Sequence, residues 1–97
     1  MENKETKNMA RTEEIIRAVA SLWRKGNHIF SRKDIQGQID VSQEKWLLGY
    51  TAIFQGMRAD HPGGAPSVNS KFQNVFRQVR WGKHTLTDYG KKLLEEY

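Results

Sequence analysis

Apolar residues recur at helical spacing over residues 12–25, and this pattern predicts the first helix of the chain. Thr12 precedes two acidic residues and is expected to be the N-cap, while Gly26 supplies the stop. The apolar stripe expected to face the core consists of Ile15, Ile16, Val19, Leu22 and Trp23. Residues 1–11 are polar and lack periodicity, so we predict a disordered lead-in there and one domain over residues 12–97.

Two more helices are predicted between residues 31 and 59. A short β-like segment at residues 28–30 leads to Ser31, which together with Asp34 is expected to form a weak capping box for a short second helix. Ser42 is expected to cap a third helix that runs to about Ala59. The apolar face of this third helix contains Trp46, Leu47, Tyr50, Ile53, Phe54 and Met57.

The opposite face of the third helix is small and polar and has two interpretations. Lys45, Thr51 and Gln55 carry groups that hydrogen-bond to base edges in a major groove. The same positions are equally compatible with an ordinary solvent-facing surface. Both interpretations stay open at the level of sequence.

The pattern changes to strands in the last part of the chain. Residues 60–70 contain both prolines and a Gly-Gly pair, which indicates a loop. Over residues 75–94 the sequence then predicts a strand, a tight turn at Trp81-Gly82, a second strand and a final helix. Alternation along the first strand places Arg77 with Val79 on one face and Gln78 with Arg80 on the other.

Charge is concentrated on this hairpin. Between Lys71 and Lys92 there are six Lys or Arg residues and one acid, Asp88, and this excess equals the formal net charge of +5 for the whole 97-residue chain. A sequence pI of about 9.7 favours a polyanionic partner, nucleic acid before a membrane surface. The chain has no cysteine, no apolar run that spans a membrane and no signal-peptide pattern, so we expect a cytoplasmic, intracellular protein.

Two short motifs carry a resemblance to a known fold. Leu86-Thr87 followed by Gly90 resembles the end of the wing strand in many bacterial winged-helix regulators, a helix-turn-helix variant. The segment at residues 30–35 is similar to their junction between first strand and second helix. The resemblance implies an α+β winged helix, with a three-helix core, a C-terminal β-hairpin wing and a final helix. The long loop at residues 60–70 resembles that of the winged-helix modules of some restriction endonucleases.

This resemblance implies a protein that binds duplex DNA, as a transcription regulator or a DNA-targeting module. Phosphate contacts are expected from basic residues, Arg32 and Lys33 among them, base contacts from the third helix, and wing-tip contacts from Trp81, Lys83 and His84. The Gly-Gly pair near Arg58 and His61 has two interpretations from the residues alone: its backbone N–H groups hold a phosphate, with these two residues sharing the contact, or it provides only the turn of a proline-rich connection. The complete set of predicted DNA-binding residues is Lys45, Thr51, Gln55, Arg58, His61, Lys71, Arg77, Arg80, Trp81, Lys83 and His84.

Other classes of function have less support. The three histidines are far apart in sequence and no serine lies in a nucleophile elbow, so we expect no enzyme, no metal site and no cofactor. The alternative is a protein–protein interaction module with the same fold, using Leu48, Ala52 or Tyr97 as a partner surface. A homodimer and a larger host protein are both compatible with the sequence, and no membrane partner is expected.

Overall fold

A computed structural model describes residues 4–60 and 68–97, with the side chains described from Met9 onward. The chain forms a small α+β fold in which helices are followed by a two-stranded antiparallel hairpin and a final helix, as the coarse layout predicted. A short 3₁₀ turn at Ser70–Phe72 leads into the hairpin. The elements are α1 (Lys4–Arg24), α2 (Arg32–Ile39), α3 (Gln43–Gly49), α4 (Thr51–Gly56), β1 (Phe76–Arg80), β2 (Lys83–Leu86) and α5 (Asp88–Leu94).

Helix α1 begins earlier than the sequence predicts. It starts at Lys4, so the predicted start at Thr12 is wrong, and residues 4–11 of the expected disordered lead-in are helical. Thr12 lies inside the helix and is only 1% exposed. The predicted end is correct: Gly26 has a φ of +91°, and the backbone N–H of Asn27 donates to the carbonyl of Leu22 at 2.9 Å. This pairing is the Schellman arrangement that glycine favours after a helix.

Helix α2 is held at both ends by side-chain and backbone geometry. The Ser31 hydroxyl accepts from the backbone N–H of Asp34 at 3.1 Å, and the Asp34 carboxylate accepts from the backbone N–H of Ser31 at 2.9 Å. The predicted capping box is therefore confirmed. Asp40 ends the helix in the left-handed region, with φ of 63°.

The predicted third helix is divided into α3 and α4 at Tyr50. Tyr50 has φ of −124°, yet its N–H donates to Trp46 and its carbonyl accepts from Phe54, both at 2.9 Å, so the chain bends without losing these hydrogen bonds. The predicted cap at Ser42 is confirmed by its hydrogen bond from the Lys45 N–H at 3.1 Å. Leu47 is 59% exposed, so its predicted burial is wrong. It lies about 100° around the helix from buried Trp46, at the edge of the apolar stripe.

The hairpin is joined to the helical part along both edges. Phe30 and His84 exchange backbone hydrogen bonds of 2.9 and 2.8 Å, so within the predicted β-like segment at residues 28–30 only Phe30 forms a β-bridge. On the other edge, the Ala59 N–H donates to the carbonyl of Phe76 at 2.7 Å. Strand β2 therefore lies between β1 and Phe30, and its residues from His84 to Leu86 are buried.

The final helix, α5, packs next to the hairpin and the core. The Thr87 hydroxyl caps α5 by accepting from the Gly90 N–H at 3.0 Å. A Cβ atom on Gly90 would lie 2.3 Å from the Val75 carbonyl oxygen, so only glycine permits this approach. The core beneath combines aliphatic residues of α1 with aromatic residues of the segment before α2, of α3 and α4, and of β1. Its fully buried members include Ile15, Ile16, Val19, Phe30, Phe54, Phe76 and Val75. Within residues 4–60 and 68–97, no helix is long and apolar enough to cross a bilayer.

Candidate nucleic-acid interface

The hairpin projects a tight turn with an exposed aromatic ring at its tip. Gly82 has φ of +73°, a conformation that suits glycine in a two-residue turn between antiparallel strands. Trp81 beside it is 93% exposed. A side chain of this size normally contributes to a core, and its exposure here places a flat apolar surface next to basic residues.

An irregularity in β1 brings three basic residues onto one face of the hairpin. Gln78 pairs with His84, but Arg80 pairs with Lys83, so Val79 is an extra residue in β1. Residues directly opposite each other share a face, which puts Arg80 with Lys83. Arg77 pairs with Thr85, which shares the face of Lys83 by alternation. We call Arg77, Arg80 and Lys83 the basic face; the predicted separation of Arg77 from Arg80 is wrong because of the bulge.

The basic face is charged without internal compensation. Arg77 and Arg80 are exposed and Lys83 is half-buried. Among residues 4–60 and 68–97, no carboxylate forms an ion pair with any of the three. Such a group of cations is suited to bind phosphate oxygens.

Arg58 is held away from solvent by two neighbours. Its Nε donates to Asp60 Oδ1 at 3.2 Å, and its Nη2 donates to Gln78 Oε1 at 3.0 Å. The other carboxylate oxygen of Asp60 accepts from the Gln78 backbone N–H at 3.0 Å. Partial burial alone would raise the pKa of Asp60, but the hydrogen bonds from Gln78 and Arg58, together with the Arg58 charge, lower it. Arg58 is therefore a positioned cation at the edge of β1.

His84 lies inside the fold rather than at the wing tip, so its predicted location is wrong. The side chain is 3% exposed and meets the ring of Phe54 edge-on, with the centroids 5.0 Å apart. Neither ring nitrogen has a hydrogen-bond partner among the described residues. Burial, followed by the charges of Arg58 and Arg32, lowers the pKa of His84 to about 4, so the imidazole is neutral at pH 7.

Arg32 completes a cluster of cations beside His84. Its guanidinium carbon lies 5.6 Å from the centre of the Phe54 ring, and its Nε is buried with no partner in the described part of the chain. Burial and then the nearby Arg58 charge lower the pKa of Arg32. These groups border an open cleft of about 330 Å³ between the start of α2 and the hairpin, lined by Ser31, Arg32, Lys33, Arg58, Gln78, Trp81, Gly82 and His84.

The helical segment predicted to contact bases has fewer free, exposed hydrogen-bonding side chains than the sequence predicts. Lys45 is exposed, but Thr51 is half-buried and its hydroxyl donates to the Trp46 carbonyl at 3.3 Å. Gln55 is half-buried. Leu48 of α3, by contrast, is 80% exposed.

One predicted contact, Lys71, does not join the basic face. The Lys71 ammonium lies 3.4 Å from the Glu96 carboxylate and 5.9 Å from the centre of the Tyr97 ring, so its contacts are with the C-terminal end of the chain. His61 lies outside the described residues. No sequence signal marks Asp60 and Gln78, because their roles depend on contacts between distant segments. The burial of His84 differs from the prediction, and alternation with the buried Leu86 could have revealed it.

No cluster of three or more histidine or acidic side chains capable of holding a metal ion occurs in the described parts of the chain. Comparison of the chain with protein-family models, with curated proteins and with solved structures finds no match.

Proposed function

We propose that this protein is a duplex-DNA-binding module of the winged-helix type, in which the β1–β2 hairpin is the wing. The observation that carries the proposal is the basic face: Arg77, Arg80 and Lys83 share one side of the hairpin next to exposed Trp81. A surface of this chemistry fits a DNA backbone, where each neutralised phosphate releases counterions and raises affinity.

The order of elements supports this proposal. Phe30 adds to the edge of β2, α2 follows directly, and the bent α3–α4 pair precedes the hairpin. In a winged helix the α3–α4 region would lie in the major groove while the wing contacts the backbone beside it. Lys45 and Gln55 would then face bases, and the basic face would supply most of the affinity because the helix itself carries little positive charge.

A fluorescence-anisotropy titration with duplex DNA at low and raised salt tests the proposal. We expect binding that weakens steeply with salt and that the double variant R80Q/K83Q weakens on every duplex sequence. The double variant K91Q/K92Q is the matched control, because it removes the same charge from exposed positions of α5. Salt-independent binding, or equal loss in both variants, would contradict a role for the wing.

One observation favours the alternative function, a protein-interaction module. Leu47 and Leu48 are adjacent on α3 and are 59% and 80% exposed. Exposed neighbouring leucines suit a protein partner, including a second copy of the chain. If duplex DNA does not bind and sedimentation shows self-association that L47Q/L48Q abolishes, the interaction module is the better account.

A further inference from the structure

The cleft between α2 and the hairpin is chemically distinct from the basic face. Gln78 and His84 form a directly opposed pair, whereas the basic face consists of residues on the other side of the same strands. A ligand in the cleft therefore meets a different set of side chains from DNA lying on the basic face. The two sites are separable by mutation.

The cleft brings two guanidinium groups close enough to disfavour each other. Burial lowers the pKa of Arg32, and the charge of Arg58 lowers it further. Arg58 is partly neutralised by Asp60, whereas Arg32 forms no ion pair with any described residue. Such a juxtaposition of like charges is unfavourable, and an anion between them removes the penalty. Lys33 at the rim adds a third cation.

Buried polar atoms at the same cleft have no hydrogen-bond partner among the described residues. His84 is 3% exposed with both ring nitrogens unpaired, and the buried Arg32 Nε is also unpaired among the residues of 4–60 and 68–97. Unsatisfied buried polar atoms are rare in native proteins, and an ordered water or a bound group normally supplies the missing hydrogen bonds. A neutral imidazole offers one N–H donor and one acceptor nitrogen. The ring therefore suits an oxyanion that also bears a hydroxyl or an amide.

The size of the cleft and its aromatic wall restrict the class of ligand. A volume of about 330 Å³ lies at the lower end of small-molecule sites and exceeds what inorganic phosphate fills. Trp81 lines the cleft while remaining 93% exposed, so an aromatic ring has access to its indole face. A nucleotide has both of the groups that this cleft suits: a phosphate that pairs with the two arginines and a planar base that stacks on tryptophan.

We propose that this cleft binds a nucleotide phosphate, with Arg32 and Arg58 as its charged partners, His84 as a neutral hydrogen-bonding partner and Trp81 as the stacking surface for the base. Either a free mononucleotide or a nucleotide unit of a DNA strand carries this chemistry. The site stands independently of duplex binding through the basic face.

The direct test is a titration of the ¹⁵N-labelled wild-type protein, at constant ionic strength, with thymidine 5′-monophosphate, thymidine, inorganic phosphate and sulfate. We expect thymidine 5′-monophosphate to shift the ring-nitrogen signals of His84 and the indole signal of Trp81 saturably. Thymidine alone and inorganic phosphate alone should each bind at least about tenfold more weakly than thymidine 5′-monophosphate. Unmoved His84 signals, or an equal response to sulfate and nucleotide, would overturn the proposal.

Variants then assign the roles and the source of the ligand. R32Q should weaken thymidine 5′-monophosphate by about tenfold, since a charged hydrogen-bonding partner is lost. W81A should reduce affinity for the nucleotide to that for phosphate alone. K92Q is the control, because Lys92 is an exposed cation of α5 outside both the cleft and the basic face, and it should leave nucleotide affinity unchanged. If R32Q leaves nucleotide binding unchanged, the assignment is wrong.

The same R32Q protein, titrated with a short duplex, separates the two sources. Loss of affinity for both duplex and mononucleotide supports a DNA strand as the occupant, and loss for the mononucleotide alone supports the free nucleotide. Failure of the duplex titration together with intact nucleotide binding would contradict the proposed function and leave this site established.

Discussion

The carboxylate of Asp60 accepts a hydrogen bond from the backbone N–H of Gln78 at 3.0 Å and so closes the outer edge of β1. Its other oxygen accepts from Arg58 Nε, which fixes the direction of that guanidinium toward the Gln78 side chain. An edge strand normally leaves such N–H groups open to pairing with another chain. One carboxylate therefore protects the strand edge and also positions a cation.

Replacing Asp60 by asparagine should lower the free energy of unfolding. The amide keeps the shape but has one acceptor oxygen in place of two, so one of the hydrogen bonds from Arg58 and Gln78 is lost and the other loses its charge. Because the site is partly exposed, we expect a loss of about 1 kcal/mol. Urea denaturation of the purified protein measures this change. D88N is the control, because Asp88 is exposed and lies 3.9 Å from its Lys91 partner. Equal stability of D60N and D88N would contradict the role assigned to Asp60.

His84 should make stability depend on pH in the mildly acidic range. Its pKa is about 4 in the folded protein and about 6.5 when unfolded, so between these values the unfolded chain binds a proton that the folded protein does not. Stability is therefore fully present above pH 6.5 and falls as the pH is lowered toward 4, by roughly 3 kcal/mol in total. The charges that face the imidazole are Arg58 and Arg32, which oppose protonation, and Asp60, which favours it.

The variant H84F isolates this contribution from that of the carboxylates. We expect its free energy of unfolding, measured in urea at pH 7 and pH 5, to change less between the two values than that of the wild type. H28F is the matched control, because His28 is exposed and stacks on Trp23 at a centroid distance of 4.1 Å. A wild-type pH dependence that persists in H84F would rule out His84 as its source.

Gly90 should be intolerant of even one added carbon. Its position opposite the Val75 carbonyl leaves no room for Cβ, and carbonyl backbone cannot move as a flexible side chain does. We expect G90A to destabilise the protein by about 1–3 kcal/mol through overpacking. G37A is the contrasting variant, since a Cβ on Gly37 in α2 has no atom within 4 Å. Alanine should stabilise that helix by up to about 1 kcal/mol, and thermal denaturation should give opposite signs for the two variants.

The features that sequence predicts here are those whose cause is local. Ser31 with Asp34, and likewise Ser42, act within one helical turn, and both of these caps are present as predicted. Gly26 and Gly82 likewise occupy turns with positive φ, and these backbone angles depend little on contacts with the rest of the fold. Such signals are readable because both partners lie within a few residues of each other.

Features set by contacts between distant segments were missed. The bulge at Val79 depends on how β1 matches β2 and the segment after α4, and it reverses the face on which Arg80 lies. Arg32 and Arg58 come together beside His84 only when α2, the segment after α4 and β2 meet. No short sequence motif therefore predicts this cluster. The start of α1 was missed for another reason: its first turns are polar, and periodicity in apolar residues cannot detect them.

The salt dependence of duplex binding should distinguish the basic face from other cations. Each phosphate contact contributes a slope of about −0.9 to the logarithmic dependence of affinity on salt concentration. R77Q should therefore reduce the magnitude of that slope by about one, because Arg77 forms no ion pair with any described residue.

Lys71 is the matched control for this measurement. It too is an exposed cation predicted to contact DNA, but its ammonium lies 3.4 Å from Glu96 at the end of the chain. We expect K71Q to leave the salt slope of duplex binding unchanged, measured by anisotropy at several salt concentrations. If K71Q reduces the slope as much as R77Q does, the DNA path must extend beyond the hairpin toward α5. In that case the basic face alone does not define the interface.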